Sequence, residues 1–309
     1  MPYANTRPSL YYERRGNGPP MLCITGFGIS CAVFEPVLDL YSSRLDCIAY
    51  DNRGSGRTAA PLHTTSIPEL AADGIALLDA LEIGSAHVYG VSMGGVIAQE
   101  LALRFPDRVR GLILGCTSPG GPLAARPTLR DLRRLGQPAT RELLDPVDGW
   151  LAALLFSRPF RHQQPERVRA LLELFTRRRP PLRGVSSHWW ASFFHDTVSR
   201  LPQIQAPTLV LHGELDAMAP LANARMLAAR IPDAELKIVR SAWHAYALER
   251  PAESFQLLCD WLDPLEPIAP GPPRTGALAA AEPLTRALGL PVGMARTGLS
   301  LVELARGRR

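Results

Sequence analysis

Short apolar runs punctuate the chain at Ser9–Glu13, Met21–Thr25, Leu45–Tyr50, Ala86–Val91, Gly111–Gly115, Thr208–His212 and Glu235–Val239. Each has strand length and is too short for an ordinary helix. Between most of them lie longer stretches with helical spacing: Ile67–Leu81, Val96–Phe105, Leu221–Ile231 and Pro251–Leu262. In the first of these, Leu70, Ile75, Leu77, Leu78 and Leu81 keep one apolar face. Strands alternating with helices predict an α/β fold, a mostly parallel sheet with helices on both faces.

The alternation stops after Cys116 and resumes at Pro207. The interruption is arginine-rich and helical in pattern, and Ser118-Pro119-Gly120-Gly121-Pro122 opens it as a hinge. Residues 1–117 and 207–263 therefore form the expected core, and 118–206 an inserted helical lid. Within the lid, Trp189, Trp190, Phe193 and Phe194 pair at i, i+4 and make a broad aromatic face. Such a face either packs the lid or roofs an apolar pocket. From Pro264, a proline-rich linker leads to an extension ending at residue 309. Its many leucines suit docking on the body or on a second subunit, and the second arrangement would make a homo-oligomer.

The chemistry lies in Val88-Tyr89-Gly90-Val91-Ser92-Met93-Gly94-Gly95. An apolar strand ends at a Gly-x-Ser-x-Gly pentapeptide and a helix follows at once. A serine hydroxyl becomes a useful nucleophile only when it is held clear of its backbone and aimed at a base. The sharp turn strains Ser92, and Gly90 and Gly94 must lack side chains where the chain packs on itself. The base is expected to be His244, in a loop after the last strand, where the carboxyl ends of the strands gather. His212 lies within an apolar strand and reads as structural. His87 points away from the strand end, and His63, His162, His188 and His195 fall in loop or lid. Asp216, just past the strand Leu209–Leu211, is the expected acid, with Glu214 as the rival carboxylate. The order Ser92, Asp216, His244 suits this geometry.

Four motifs together resemble the α/β-hydrolase superfamily, in its lid-bearing serine hydrolase branch (esterase or lactonase-like), over roughly Ser9 to Leu262. They are the elbow Gly90–Gly95, the turn Asp51-Asn52-Arg53-Gly54-Ser55-Gly56-Arg57, the acid loop Gly213–Pro220, and His244 through Glu249-Arg250-Pro251. The resemblance implies an eight-stranded sheet and an oxyanion hole built from the backbone N–H groups of Phe27 and Met93. It also implies a pocket drawn from Phe27, Trp189, Trp190, Phe193 and Trp243. Where the family has His-Gly before the hole, this chain has Thr25-Gly26, and Trp243 replaces the glycine before the histidine. Asp51 and Arg53 are expected to pair and hold their turn.

Composition narrows the classes. The net charge of +5 comes mostly from arginine, with no recognition helix or RNA-binding signature, so nucleic acid is not an expected partner. No apolar run is long enough to span a membrane. Five cysteines, with Cys23, Cys47 and Cys116 inside strands, read as free thiols of a reducing, cytoplasmic setting. No cluster has zinc spacing, so no metal and no cofactor is expected. The expected activity is hydrolysis of a small-molecule carboxylic ester with an apolar portion, through an acyl-enzyme. Lactone or enol-lactone hydrolysis and thioesterase activity would use the same triad. Acyl transfer, or a hydrolase-fold receptor with vestigial turnover, are the readings from other classes.

Overall fold

The computed structural model describes residues 3–60, 64–128, 147, 149–178 and 180–265. His63, residues 129–146 of the expected lid, and all but the first two residues of the 264–309 extension lie outside them, as does the expected oligomer contact. The sheet has seven strands: β1 (Tyr12–Arg15), β2 (Pro20–Ile24), β3 (Asp46–Tyr50), β4 (Ala86–Val91), β5 (Val109–Gly115), β6 (Thr208–Gly213) and β7 (Ala234–Val239). Their spatial order is β1-β3-β2-β4-β5-β6-β7. Only β1 runs antiparallel to its neighbour.

The eighth strand is absent among the described residues. Where it would pair with the outer edge of β1, the segment from Tyr3 makes one isolated bridge, Tyr3 to Tyr11. Pro8 within that short return has no N–H to continue a ladder. The edge strand itself begins three residues later than its apolar signal, because Tyr12–Arg15 is held by charges: Arg14 pairs with Asp46 at 2.6 Å and Arg15 with Asp39 at 2.7 Å.

Period-two alternation divides the core into two halves. Leu22, Ile24, Ile48, Val88, Leu112 and Val210 face one side, with α2 (Ile67–Ala80), α3 (Met93–Arg104) and the helix Leu221–Arg230. Cys23, Cys47, Tyr89, Ile113 and Leu209 face the other, with α1 (Glu35–Tyr41) and the helix Pro251–Leu262. α2 starts where a capping box fixes it: Ser66 Oγ accepts from Glu69 N–H while Glu69 accepts from Ser66 N–H.

Between β5 and β6 the described residues contain α4 (Trp150–Leu155), α5 (Arg158–Gln163), α6 (Pro165–Thr176) and α7 (Leu182–Phe193). The two ends of this segment clasp each other: Gly121 N–H donates to His195 O, and Thr197 N–H to Pro119 O, both at 2.9 Å. After β6 come α8 (Leu221–Arg230), then β7, α9 (Tyr246–Glu249) and α10 (Pro251–Leu262). All five cysteines are buried and free. Among the described residues no helix is long and apolar enough to cross a membrane.

Candidate active site

Ser92 stands at the junction of β4 and α3 with φ 58° and ψ −122°, a backbone conformation that costs a non-glycine residue energy. Two glycines make the junction possible. A Cβ on Gly90 would lie 2.7 Å from Gly95 N, and one on Gly94 would lie 2.7 Å from Thr25 O. Both obstacles are backbone and cannot step aside. Ser92 N–H donates to Gly115 O at 2.9 Å, and Thr117 Oγ1 donates to Ser92 O at 2.7 Å, fastening the turn to the end of β5. As the first residue of α3, Met93 has no acceptor for its N–H within the helix. The Thr25–Gly28 loop after β2 closes on the other side, since a Cβ on Gly26 would meet Ser92 Cβ at 3.2 Å.

His244 and Asp216 meet at the neighbouring strand ends. His244 Nδ1 lies 2.7 Å from Asp216 Oδ2, and both residues are buried. The other carboxylate oxygen of Asp216 accepts from Met218 and Ala219 N–H at 2.8 and 3.0 Å. Burial acts to raise the Asp216 pKa, but His244, His212 and the Ala219 N–H outweigh it and hold the carboxyl below its ordinary value. Glu214 instead accepts from Ser241 N–H at 2.8 Å, at the exposed side of the loop. Cys116 joins the two halves of the site. It follows Gly115, the partner of Ser92, and its Sγ lies within 4.8 Å of ligand atoms of Asp216 and His244. Burial pushes the Cys116 thiol well above its ordinary pKa.

Further partners brace these loops. Glu249 accepts from Trp243 N–H at 2.9 Å, from Ser157 N–H at 3.0 Å and from Ser157 Oγ at 2.6 Å, which ties the residue before His244 to the start of α5. Burial raises the Glu249 pKa against those three bonds. Tyr246 reaches under the sheet to Tyr89 of β4, with hydroxyls 2.7 Å apart. His212 pins the acid loop, its Nε2 donating to Ala219 O at 2.7 Å. The expected Asp51–Arg53 pair is not made. Arg53 turns to Asp73 of α2, and Asp51 accepts from Cys31 and Arg57 N–H, both at 2.6 Å. The glycine-rich turn needs its carboxylate for its own amides, which leaves the guanidinium to the helix behind it.

The aromatic residues expected in one pocket are divided. Phe27 and Trp189 line an apolar cavity of about 610 Å³ with Leu182 and Val185, beside the Thr25–Gly28 loop; Ser92 is not among its lining residues. Trp190 lines a separate cavity against Ile67, Pro68 and Phe194. Successive helix positions project about 100° apart, and the Trp189 and Trp190 rings open onto different cavities. Phe193 stacks on Trp189 and Phe194 on Trp190, at 6.4 and 5.5 Å between centroids. Neither pair packs a lid interior. The buried face of α7 is Gly184, Ser187, His188 and Ala191, and the aromatics are exposed, Phe194 by 73%. Trp243 is half-buried next to His244, with its carbonyl turned towards Gly213.

Residues 19–251 match the family model described as the alpha/beta hydrolase fold. The chain belongs to that family. Among relatives in the α/β-hydrolase fold, it is 30% identical over 248 residues to a poly(3-hydroxyalkanoate) depolymerase of Ectopseudomonas oleovorans, covering 75% of this chain and 80% of that protein. It is 29% identical over 263 residues to a pimeloyl-[acyl-carrier protein] methyl ester esterase of Chromobacterium violaceum, covering 82% and 98%. The enol-lactonase of Burkholderia xenovorans LB400 superposes with a TM-score of 0.71 at 25% identity, covering 84% of this chain and 99% of that one. These α/β-hydrolase relatives cleave ester and lactone substrates.

Proposed function

We propose that this chain is a serine hydrolase that cleaves a carboxylic ester through an acyl-enzyme, with no metal or cofactor in the reaction. The observations that carry the reading are the strained Ser92, φ 58°, at the carboxyl end of β4, and the 2.7 Å Asp216–His244 couple past the carboxyl ends of β6 and β7 in the same parallel sheet. Ser92 Oγ attacks the substrate carbonyl and His244 Nε2 takes its proton. Asp216 fixes the His244 tautomer and stabilises the imidazolium. The N–H groups of Phe27 and Met93 receive the oxyanion, helped by the positive end of α3. His244 then returns the proton to the leaving alcohol, and water, deprotonated by the same imidazole, releases the acid. The apolar cavity beside Phe27 suits the part of the substrate remote from the scissile bond.

A second reading, lactone or enol-lactone hydrolysis, is favoured by the likeness to the Burkholderia enol-lactonase. The same residues would act, with the leaving alcohol still tethered to the acyl group. One experiment tests both. The purified protein is labelled with a fluorophosphonate probe and assayed on p-nitrophenyl esters of graded chain length, on lactones and on thioesters. Ser92→Ala and His244→Ala should each lower turnover by about 10³-fold or more, since such residues act as a unit. Labelling that persists in Ser92→Ala would refute the assignment of the nucleophile.

A further inference from the structure

α7 carries a histidine that the proposed chemistry does not use. His188 is fully buried on the small-residue face of the helix. Its Nε2 lies 2.8 Å from the Arg53 carbonyl oxygen. A carbonyl can only accept, so Nε2 carries the proton and Nδ1 is left bare. The N–H of Gly28 donates to that bare nitrogen at 3.2 Å. Burial lowers the His188 pKa, opposed in part by the Arg53 carbonyl, which accords with a neutral ring. The Phe27 ring meets the imidazole edge-on, with centroids 6.1 Å apart.

The helix that holds this ring is itself fixed. Gly184 lies so close to Gly54 that an added Cβ would come within 2.9 Å of the Gly54 carbonyl carbon. One turn on, Ser187 Oγ accepts from Thr65 N–H at 2.6 Å. α7 is thus seated on Arg53, Gly54 and Thr65 and reaches the Thr25–Gly28 loop at Gly28. Gly28 has φ 63°, so its peptide is turned into α7 rather than along β2.

We propose that His188 is a positioning residue for the oxyanion loop. Its unprotonated Nδ1 holds the Gly28 N–H, and this orients the preceding peptide, whose Phe27 N–H faces the reacting carbonyl. The inference rests on the reading of Ser92 and Phe27 given above. His188 touches no substrate and acts only through Gly28. A residue 160 positions distant in the chain, on an inserted helix, thereby sets the geometry of half the hole.

The test compares His188→Asn, His188→Gln and His188→Leu in the full-length protein. Steady-state kinetics on a p-nitrophenyl ester, melting temperature and fluorophosphonate labelling are read for each. Asparagine places an amide oxygen where Nδ1 stood, keeping the acceptor for Gly28 and losing the bond to Arg53. Glutamine places an amide nitrogen where Nε2 stood and does the reverse. Each loses one hydrogen bond, so their melting temperatures should fall alike. The proposal expects kcat to drop about 10- to 100-fold in His188→Gln with KM within about twofold, and to stay within about threefold in His188→Asn. Equal kcat in the two variants, or unchanged kcat in His188→Leu, would overturn it. A wild-type protein that neither labels at Ser92 nor turns over any ester would instead sink the underlying reading.

Discussion

Gly94→Ala isolates the geometry of the elbow from its chemistry. The added Cβ would sit 2.7 Å from both the Ile24 carbonyl carbon and Thr25 O, and closer still to Ile24 O. All three are backbone atoms at the end of a central strand, so relief requires α3 and β2 to part by about 1 Å. Ser92 caps α3 and Gly26 packs on its Cβ, so the nucleophile and the oxyanion loop are the two groups driven apart. Overpacking of this kind costs about 1–3 kcal/mol. For a chain of this size each kcal/mol lowers the melting temperature by about 2–4 °C, which puts the expected fall at roughly 2–12 °C. Displacing a reacting group on this scale costs about 10²-fold in turnover. Gly84→Ala is the matched control. Nothing lies within 4 Å of its added Cβ and its φ is ordinary, so it should hold activity and gain about 0.4–1 kcal/mol by stiffening the unfolded chain. Scanning fluorimetry and p-nitrophenyl ester kinetics on both variants decide the matter. A Gly94→Ala protein with kcat within threefold of wild type and an unmoved melting temperature would refute the argument.

Asp216→Asn should cut kcat by about 10²-fold or more, while Glu214→Gln should change it less than twofold; the opposite ranking in steady-state kinetics would reassign the acid. Because Asp216 is held below its ordinary pKa, its stabilisation is complete above the unfolded value near 3.8 and is lost as pH falls through the folded one, so Asp216→Asn should flatten the acid limb of a melting-temperature profile. Glu249→Ala leaves the Trp243 and Ser157 donors buried without their acceptor and should cost about 2–5 kcal/mol in urea unfolding, whereas Glu249→Gln, which keeps an oxygen for the two N–H groups, should cost less than half of that. The Glu249 pKa is raised, so its burial favours folding below the unfolded value near 4.5 and weakens it as pH rises through the folded one. Trp189→Ala with Phe193→Ser should leave the melting temperature within about 1 °C and raise KM for long-chain esters selectively; equal loss on short and long chains would remove these rings from substrate contact.

The sequence pattern reaches the elements whose signal is local. The β4 run, the Gly-x-Ser-x-Gly turn, the apolar face of α2 and the helical spacing of α10 each announce themselves within a few residues. α1 is missed because Glu35-Pro36-Val37-Leu38-Asp39-Leu40-Tyr41 is short and follows a tight turn of helix over Cys31–Phe34. α3 begins three residues before its apolar pattern because Gly94 and Gly95 carry no hydrophobic signal. Long-range partners leave no trace at all. Nothing near Arg53 distinguishes Asp51 from Asp73, and nothing links His188 to Gly28. The aromatic face of α7 misleads for a different reason: hydrophobicity marks which face is apolar but not which way it points. Here Gly184, Ser187, His188 and Ala191 face inward, and the bare Gly184 lets the helix backbone approach Gly54.

That inversion separates two kinds of selection. Gly184, Ser187, His188 and Ala191 hold α7 in place, and exchanging any of them alters the seat of the helix. The outward rings are about half exposed and contact mainly one another, so replacing them costs the fold less than changing the inner face. Most substrate pockets are cut into the core, and each change of specificity is then taxed in stability. Under the proposed function the two demands fall on opposite sides of one cylinder, so the outer side is free to change its preferred substrate while the inner side stands still.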